Sequence, residues 1–539
     1  MSRHRFLIVV PVADRPRHIQ ACLGSLRELL RRYPYDRPVR VLVADDSADA
    51  AHVAANREIA AHHRAEGLEV IHFGPEEQYA LSERLRETLP GVVGNAPRDK
   101  FGHKGQGVMR NIAYLKVAEM LAGEPDDTLI WSLDSDQEFC VKLADGRVEY
   151  AVDFFGGLDA IFARTDAQVL TGKVVGDPPV SPAVMTANFL ADVEGFLLRM
   201  ADCAPRAPCG HHAATARHTG DAAYHDMADM FGFQRAVAAY AYPCPLTGAH
   251  SEADCFAHFA GRVNSFFYGE HPTRVSCYEP AELFSTVQPA RTVYAGNYVF
   301  RAAALKYFIP FAALRLRMSG PTLGRIVRAE LGPRFVSANL PMLHKRTVES
   351  GGQSEFRPGI ETVEEEETRR AAPSVSSPPG GRSPQSGDCG GGLVIDMSGE
   401  FERQFHGDVM LFSVERLTAA APLHRPASAD FSGTLDAMRA ELLAKYNARQ
   451  RAILDRLDRV EALLADPARW WNQDGEHAPA VARFRHFCAN VRRNFGADSS
   501  GHARINDPAR WTKWRADLLA ALERYPAERA AWDKALCAD

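Results

Sequence analysis

The chain predicts an α/β protein, a doubly wound and mostly parallel sheet followed by a C-terminal α-helical domain. Three observations lead there. Apolar strand-like runs and amphipathic helical stretches alternate regularly between residues 5 and 135, which calls for right-handed crossovers and a sheet covered on both faces. Three of those runs stop at polar groups, Asp14-Arg15, Asp45-Asp46-Ser47 and Asp134-Ser135-Asp136, so one edge of the sheet collects carboxylates where such sheets bind their ligands. Beyond residue 430 the apolar residues recur at close to heptad spacing, the mark of packed helices.

Taken in order, Phe6 to Val12 is the first strand, and Arg17 to Arg32 is a helix with Ile19, Leu23, Leu26 and Leu30 on one face. Val39 to Ala44 is the second strand and Ala50 to Ala65 a helix; Leu68 to Phe73 is the third strand, with Glu76 to Leu89 and Gly107 to Leu121 helical after it. The fourth strand begins at Thr128 and ends at the acid pair. Gln137 to Asp153 reads as a hairpin turning at Asp145-Gly146. Phe154 to Arg164 is helical, Ala167 to Val175 a buried strand, and Ser181 to Met200 a helix with Ser181 as cap and Pro182 first. Phe335 to Leu343 is a late strand running into His344. The expected division is 1–350 for the sheet domain, 351–392 for a flap and linker rich in Glu, Pro, Ser and Gly, 393–429 for a connecting segment, and 430–539 for a helical bundle. The bundle's stripe (Leu443, Tyr446, Ile453, Leu457, Val460, Leu464) is expected to be an intramolecular core, the alternative being a homodimer seam.

Composition narrows the class. At 539 residues, 46% hydrophobic and 24% charged, with formal net charge −5, the chain has no global positive field to recruit nucleic acid. No run approaches the ~20 apolar residues of a membrane span, and the short apolar N-terminus closed by Asp14 and Arg15 reads as a strand, not a signal peptide. Ten scattered cysteines without a Cys-x-x-Cys pair suit reduced thiols and a cytoplasmic protein.

Alternation along a strand lets Asp134 and Asp136 face the same way, and a hard cation such as Mn²⁺ or Mg²⁺ takes one or two carboxylates plus diphosphate oxygens. Upstream, glycines at 102, 105 and 107 with Lys104 and Arg110 precede a helix whose amide end suits a diphosphate. The loop is not that of ATPases, because no Lys-Ser/Thr pair closes it.

The order Pro11-Val12-Ala13-Asp14-Arg15-Pro16, Cys22-Leu23, Ser25-Leu26, Val43-Ala44-Asp45-Asp46-Ser47, Lys104-Gly105-x-Gly107-x-x-Arg110-Asn111, Leu133-Asp134-Ser135-Asp136 resembles the nucleotide-sugar domain of GT-A glycosyltransferases, family 2 in particular. The resemblance implies a metal-dependent enzyme that moves a sugar from a nucleoside diphosphate donor to an unidentified acceptor. It implies that Pro11 and Arg15 flank the base and that Asp45 or Asp46 holds base or ribose. Lys104 and Arg110 would lie near the diphosphate, Asp14 and Asn111 would complete the donor side, and Asp134 and Asp136 would hold the metal. Gly296-Asn297 resembles the family's acceptor-side strand, and His344 stands where several such enzymes place a third metal ligand. Gly320-Pro321-Thr322-Leu323-Gly324-Arg325 departs from the family's Glu-Asp-x-x-Leu-Gly-x-Arg by lacking both acids, so the catalytic base is unassigned, and Glu138, just past the acid pair, is the candidate catalytic residue or a group that positions metal or acceptor.

Between these blocks, Cys203, Cys209, His211, His212, His218 and His225 offer zinc-type ligands at spacings that match no common structural zinc pattern. They read as a His-rich loop over the active site. Two rival functions remain. A sugar-nucleotide nucleotidyltransferase needs a Gly-rich loop after the first strand, and Pro11 to Arg15 has none; a non-catalytic nucleotide-sugar-binding protein is favoured by the missing acids and opposed by the Asp134/Asp136 pair.

Overall fold

The computed structural model describes residues 2–124, 126–210, 222–233, 239–294, 296–346, 361–363, 394–425 and 430–537. His211, His212, His218 and most of the expected flap and linker lie outside them. The fold is the α/β class that the alternation predicts.

The first half comprises β1 (Arg5–Val12), α1 (Pro16–Arg32), β2 (Val39–Asp45), α2 (Ala50–Ala65), β3 (Glu69–Phe73), α3 (Pro75–Glu83), α4 (Pro90–Val93), α5 (Gln106–Leu121) and β4 (Thr128–Leu133). Then come β5 (Gln137–Glu138), β6 (Val141–Lys142), β7 (Val148–Glu149), α6 (Phe154–Arg164), β8 (Val169–Gly176), α7 (Thr186–Asp202), α8 (Glu252–Arg262), β9 (Gln288–Pro289) and β10 (Asn297–Arg301). The remainder is α9 (Ser319–Leu331), β11 (Phe335–His344), β12 (Glu361–Val363), β13 (Val394–Asp396), α10 (Ser398–Thr418), α11 (Phe431–Ala465), α12 (Ala478–Phe495), α13 (Ser500–Asn506) and α14 (Pro508–Leu536).

The main sheet runs β3-β2-β1-β4-β10-β8-β11-β5. β1 to β4 are mutually parallel, and β8 is parallel to β11. β10 is antiparallel to both β4 and β8 between which it lies, which makes the sheet mixed at its centre. Alternate residues of β1 serve opposite layers. Phe6, Ile8 and Val10 pack with α1 and α6, whereas Leu7 and Val9 join the layer that holds α5, α7 and the C-terminal helices.

Two local departures have clear causes. The expected helix over 76–89 breaks after Glu83 and resumes as a single turn at Pro90, since proline starts helices and cannot continue them. Ser181 caps a short 3₁₀ turn rather than a long helix, its Oγ accepting from the Ala183 amide at 3.2 Å, and α7 starts afresh at Thr186.

The heptad stripe is spent inside the chain. Leu442, Tyr446, Ile453, Leu457, Val460 and Leu464 are buried, in the same apolar core as Leu7 and Trp532, and Leu443 is half-buried. The stripe is thus the intramolecular core that its spacing predicts. Ties across the chain include the Trp532 indole donating to the Leu305 carbonyl at 2.8 Å and Arg449 beside Asp226 at 3.4 Å.

Candidate active site

The carboxyl ends of β1, β4, β8 and β11 share one edge of the sheet. A cavity of about 490 Å³ opens there. Its convergence depends on a strand crossing. β4 and β11 are separated by two strands, yet after Asp136 the chain lies antiparallel against the end of β11, Glu138 opposite Leu343 and Gln137 opposite His344. The Lys345 amide then donates to the Asp136 carbonyl at 2.9 Å. Asp136 and His344, 208 residues apart by number, become neighbours, with Nε2 3.5 Å from Oδ2.

Around Asp136 the charges are mostly cationic. Arg15 reaches its Oδ2 at 3.2 Å and Arg346 at 3.9 Å. Burial alone would raise its pKa, but His344, Arg15 and Arg346 hold the carboxyl well below the usual range. Its other oxygen, Oδ1, is buried with no hydrogen-bond partner. The His344 Nδ1 donates to the Asp177 carbonyl at 2.7 Å, which turns Nε2 toward Asp136.

Asp134 has a different environment. Its Oδ1 is gripped by the Arg110 guanidinium, whose Nε also reaches the Ser132 hydroxyl at 3.3 Å. A β-carbon at position 296 would meet the Asp134 carboxylate, so the absence of a side chain at Gly296 leaves Asp134 its present position. Asp134, Asp136 and His344 all line the cavity, but they do not form a preassembled three-ligand set among the described residues. As oxygen and imidazole donors, Asp136 and His344 suit Mn²⁺ or Mg²⁺ completed by phosphate oxygens, and the orphaned Oδ1 is the atom that such an ion would satisfy.

Of the expected site residues, Pro11, Arg15, Asp46, Asp134, Asp136 and His344 line the cavity, and Asp14, Asp45, Lys104, Arg110, Asn111 and Asn297 do not. The second group is internal bracing. Asp14, at φ 51°, accepts from the amides of Ala48 (3.2 Å) and Asp49 (3.1 Å), from His52 and from His103; burial raises its pKa, and these donors more than offset it, leaving it below the ordinary value. Asp45 accepts from His72 at 2.9 Å and Asn56 at 3.1 Å. Lys104 is 2% exposed, its ammonium 2.5 Å from Asp46 Oδ1 and 3.0 Å from the Phe101 carbonyl. Burial pushes the Asp46 carboxyl up and the Lys104 ammonium down, and their mutual contact opposes both. Asn111 bridges the Val92 and Ile309 carbonyls at 3.0 Å each. Asn297 accepts from the Trp131 indole at 3.0 Å and donates to the Lys173 and Leu340 carbonyls. Glu138 also lies off the cavity wall, its carboxylate 2.9 Å from the Lys345 ammonium. The basic groups named for the diphosphate are thus spent on carboxylates.

No protein-family model matches the chain, and no curated protein matches it. Among solved structures it is similar to mannosyl-3-phosphoglycerate synthase from Rubrobacter xylanophilus, at 17% identity over 32% of this chain and 41% of that one, with a TM-score of 0.20. It is also similar to a mannosyltransferase from Pyrobaculum calidifontis in complex with GDP-Man and Mn²⁺, at 11% identity over 97% of this chain and 87% of that one, with a TM-score of 0.31. The chain spans less than half the length of the first of these. Likenesses this distant leave the function to the geometry of the cleft.

That geometry includes residues that sequence reasoning passed over. Seven arginines line the cavity among the described residues (Arg15, Arg291, Arg315, Arg317, Arg325, Arg346, Arg403) against four carboxylates (Asp46, Asp134, Asp136, Glu400). Phe311, Arg315 and Met318 all adopt positive φ, at 56°, 51° and 66°, a costly run for residues with β-carbons that places Arg315 against Gly105 at the start of α5. The sequence signal was the Arg315-x-Arg317 pair just before a helix. Glu400, from α10, is held by Arg317 at 3.0 Å and Arg403 at 2.7 Å. His225, named in the expected His-rich loop, stands on the wall as well; burial pushes its ring down to about 3 and its Nε2 has no partner.

Proposed function

We propose that the chain is a glycosyltransferase that binds a nucleoside diphosphate sugar in this cleft and passes the sugar to an acceptor hydroxyl. The observation that carries the reading is the Asp136/His344 pair with its orphaned carboxylate oxygen, set among arginines at the carboxyl edge of a doubly wound sheet. Transfer breaks the bond between the anomeric carbon and the diphosphate oxygen, the electron pair leaving with the diphosphate, while the acceptor oxygen bonds to that carbon and gives its proton to the departing diphosphate or to water. Arg315 and Arg346 supply fixed positive charge for the leaving group, and the amide end of α5, lined at Gly105 to Gly107, adds the helix dipole. Asp136 and His344 would hold Mn²⁺ or Mg²⁺, which when bound acts as a Lewis acid toward the diphosphate. The pyrimidine or purine end is assigned to Pro11 and Arg15. Tyr224, His225 and the first turn of α9 form the acceptor wall, where a neutral imidazole N–H suits a sugar hydroxyl.

The test is hydrolysis across UDP-, GDP- and dTDP-sugars with and without Mn²⁺. At least one donor is turned over in a metal-dependent way, and Asp136→Asn removes that turnover. If no donor is turned over or raises Tm, the assignment fails. A second reading, a nucleotide-sugar-binding protein, is favoured by one observation: Ser319 to Thr322 present no carboxylate where α9 meets the cavity. A metal-dependent rise in Tm without any turnover would select it.

A further inference from the structure

Away from the cleft, three thiols and an imidazole converge. Cys255 Sγ lies 3.3 Å from Cys209 Sγ and 3.5 Å from Cys244 Sγ, and Cys244 Sγ lies 3.2 Å from His250 Nε2. All four ligand atoms fall within 4.8 Å of one another. None of the three cysteines is disulfide-bonded, and none of the four residues lines the large cavity.

We propose that Cys209, Cys244, His250 and Cys255 form a structural zinc site. A tetrahedral Zn²⁺ with Zn–S bonds of about 2.3 Å and a Zn–N bond of about 2.0 Å sets ligand atoms about 3.5 to 3.8 Å apart, so the observed cluster needs only a slight expansion to accept the ion. The imidazole has the correct tautomer, because Nδ1 donates to the Gly248 carbonyl at 2.8 Å and so leaves the Nε2 lone pair facing the sulfurs. Cys255 sits in the first turn of α8, whose start is fixed by a capping box between Ser251 and Asp254. With four protein ligands and no open position, the site is structural rather than catalytic.

The backbone around the cluster shows what it would secure. The segment leaving α7 runs beside the start of α8: the Cys209 amide donates to the His250 carbonyl at 3.1 Å, Glu252 to Ala207 at 2.9 Å, and Ala253 to Pro205 at 3.0 Å. Cys209 thereby ties the segment after α7 to the 244–255 stretch. The inference does not rest on the transferase reading, since zinc content and donor turnover are measured separately.

The experiment is elemental analysis of the full-length protein purified in chelator-treated buffer, followed by Co²⁺ titration of chelator-stripped protein. About one zinc per chain is expected, with Co²⁺ uptake producing a thiolate charge-transfer band. Cys244→Ser with Cys255→Ser should drop zinc to below about 0.1 per chain and lower Tm. Should the double variant not fold, the Co²⁺ titration of the unmutated chain stands alone as the test. A chain that carries no zinc and develops no Co²⁺–thiolate band, or a Cys209–Cys255 disulfide in peptides from acid-quenched protein, would overturn the site.

Discussion

Two sets of charged side chains crowd the same edge of the sheet and do opposite things. In the first, Asp46 with Lys104, Asp134 with Arg110, and Asp14 with its amide and imidazole donors, every charge is answered inside the protein. In the second, Asp136, His344, Arg15 and Arg346 face a cavity, and one carboxylate oxygen is unanswered. Residue type does not separate the two; a buried oxygen without a hydrogen-bond partner does. A buried charge with a full complement of partners holds loops in place, whereas a charge short of one is available to a ligand.

Substitutions can break or sharpen this contrast. Asp136→Asn keeps shape and hydrogen bonding while removing the charge, and donor turnover should fall about 10³-fold, near the effect of deleting one strong transition-state contact, with circular dichroism unchanged; turnover within threefold of the parent would move Asp136 to the bracing set. Lys104→Met strands Asp46, so unfolding free energy should drop by about 3 kcal/mol while donor KM in the folded protein holds. A raised KM without loss of stability would return Lys104 to the diphosphate. Asn297→Ala leaves the Trp131 indole and two carbonyls without their side-chain partner, at a cost of about 2 to 3 kcal/mol in urea melts. Arg315→Ala should raise donor KM about tenfold, or about 1.4 kcal/mol, with Tm unmoved.

The smallest effect concerns pH. Asp408 of α10, buried against the Tyr446 hydroxyl at 2.6 Å and the Gln404 amide at 2.9 Å, is pushed up to about 7 by burial. Because the fold favours the protonated carboxyl, its contribution to stability is complete below the ordinary carboxylate pKa near 4 and is lost as pH rises toward 7. Asp408→Asn should flatten the decline in unfolding free energy between about pH 5 and pH 7. An unchanged slope would place the titration elsewhere.

Much of the fold was legible. The ends of α2 and α6 fall where Ala50 to Ala65 and Phe154 to Arg164 predict them, because apolar spacing and capping are local properties. The antiparallel insertion of β10 was not, since strand direction is set by pairing between residues far apart, such as Asn297 with Leu133. The same distinction runs through the site. Asp134, Asp136 and His344 were found from motif and position, but that Arg110 would be consumed by Asp134 depends on two helical turns and a strand meeting in space. Nor could spacing reveal the sulfur cluster: Cys209 was noticed beside His211 and His212, whereas Cys244, His250 and Cys255, which the fold brings to it, follow a long excursion of the chain. Asn297 misled in another way, for an amide that satisfies a buried tryptophan carries the same letter as one that binds a sugar.

One wall of the cleft comes from α10, where Glu400, Arg403, Gln404, Gly407 and Met410 face the cavity, although the sheet is finished at His344. During synthesis every strand of that sheet precedes this wall, so the complete cleft needs the chain at least through Met410. A fragment cut after the last strand would be a basin with one side missing.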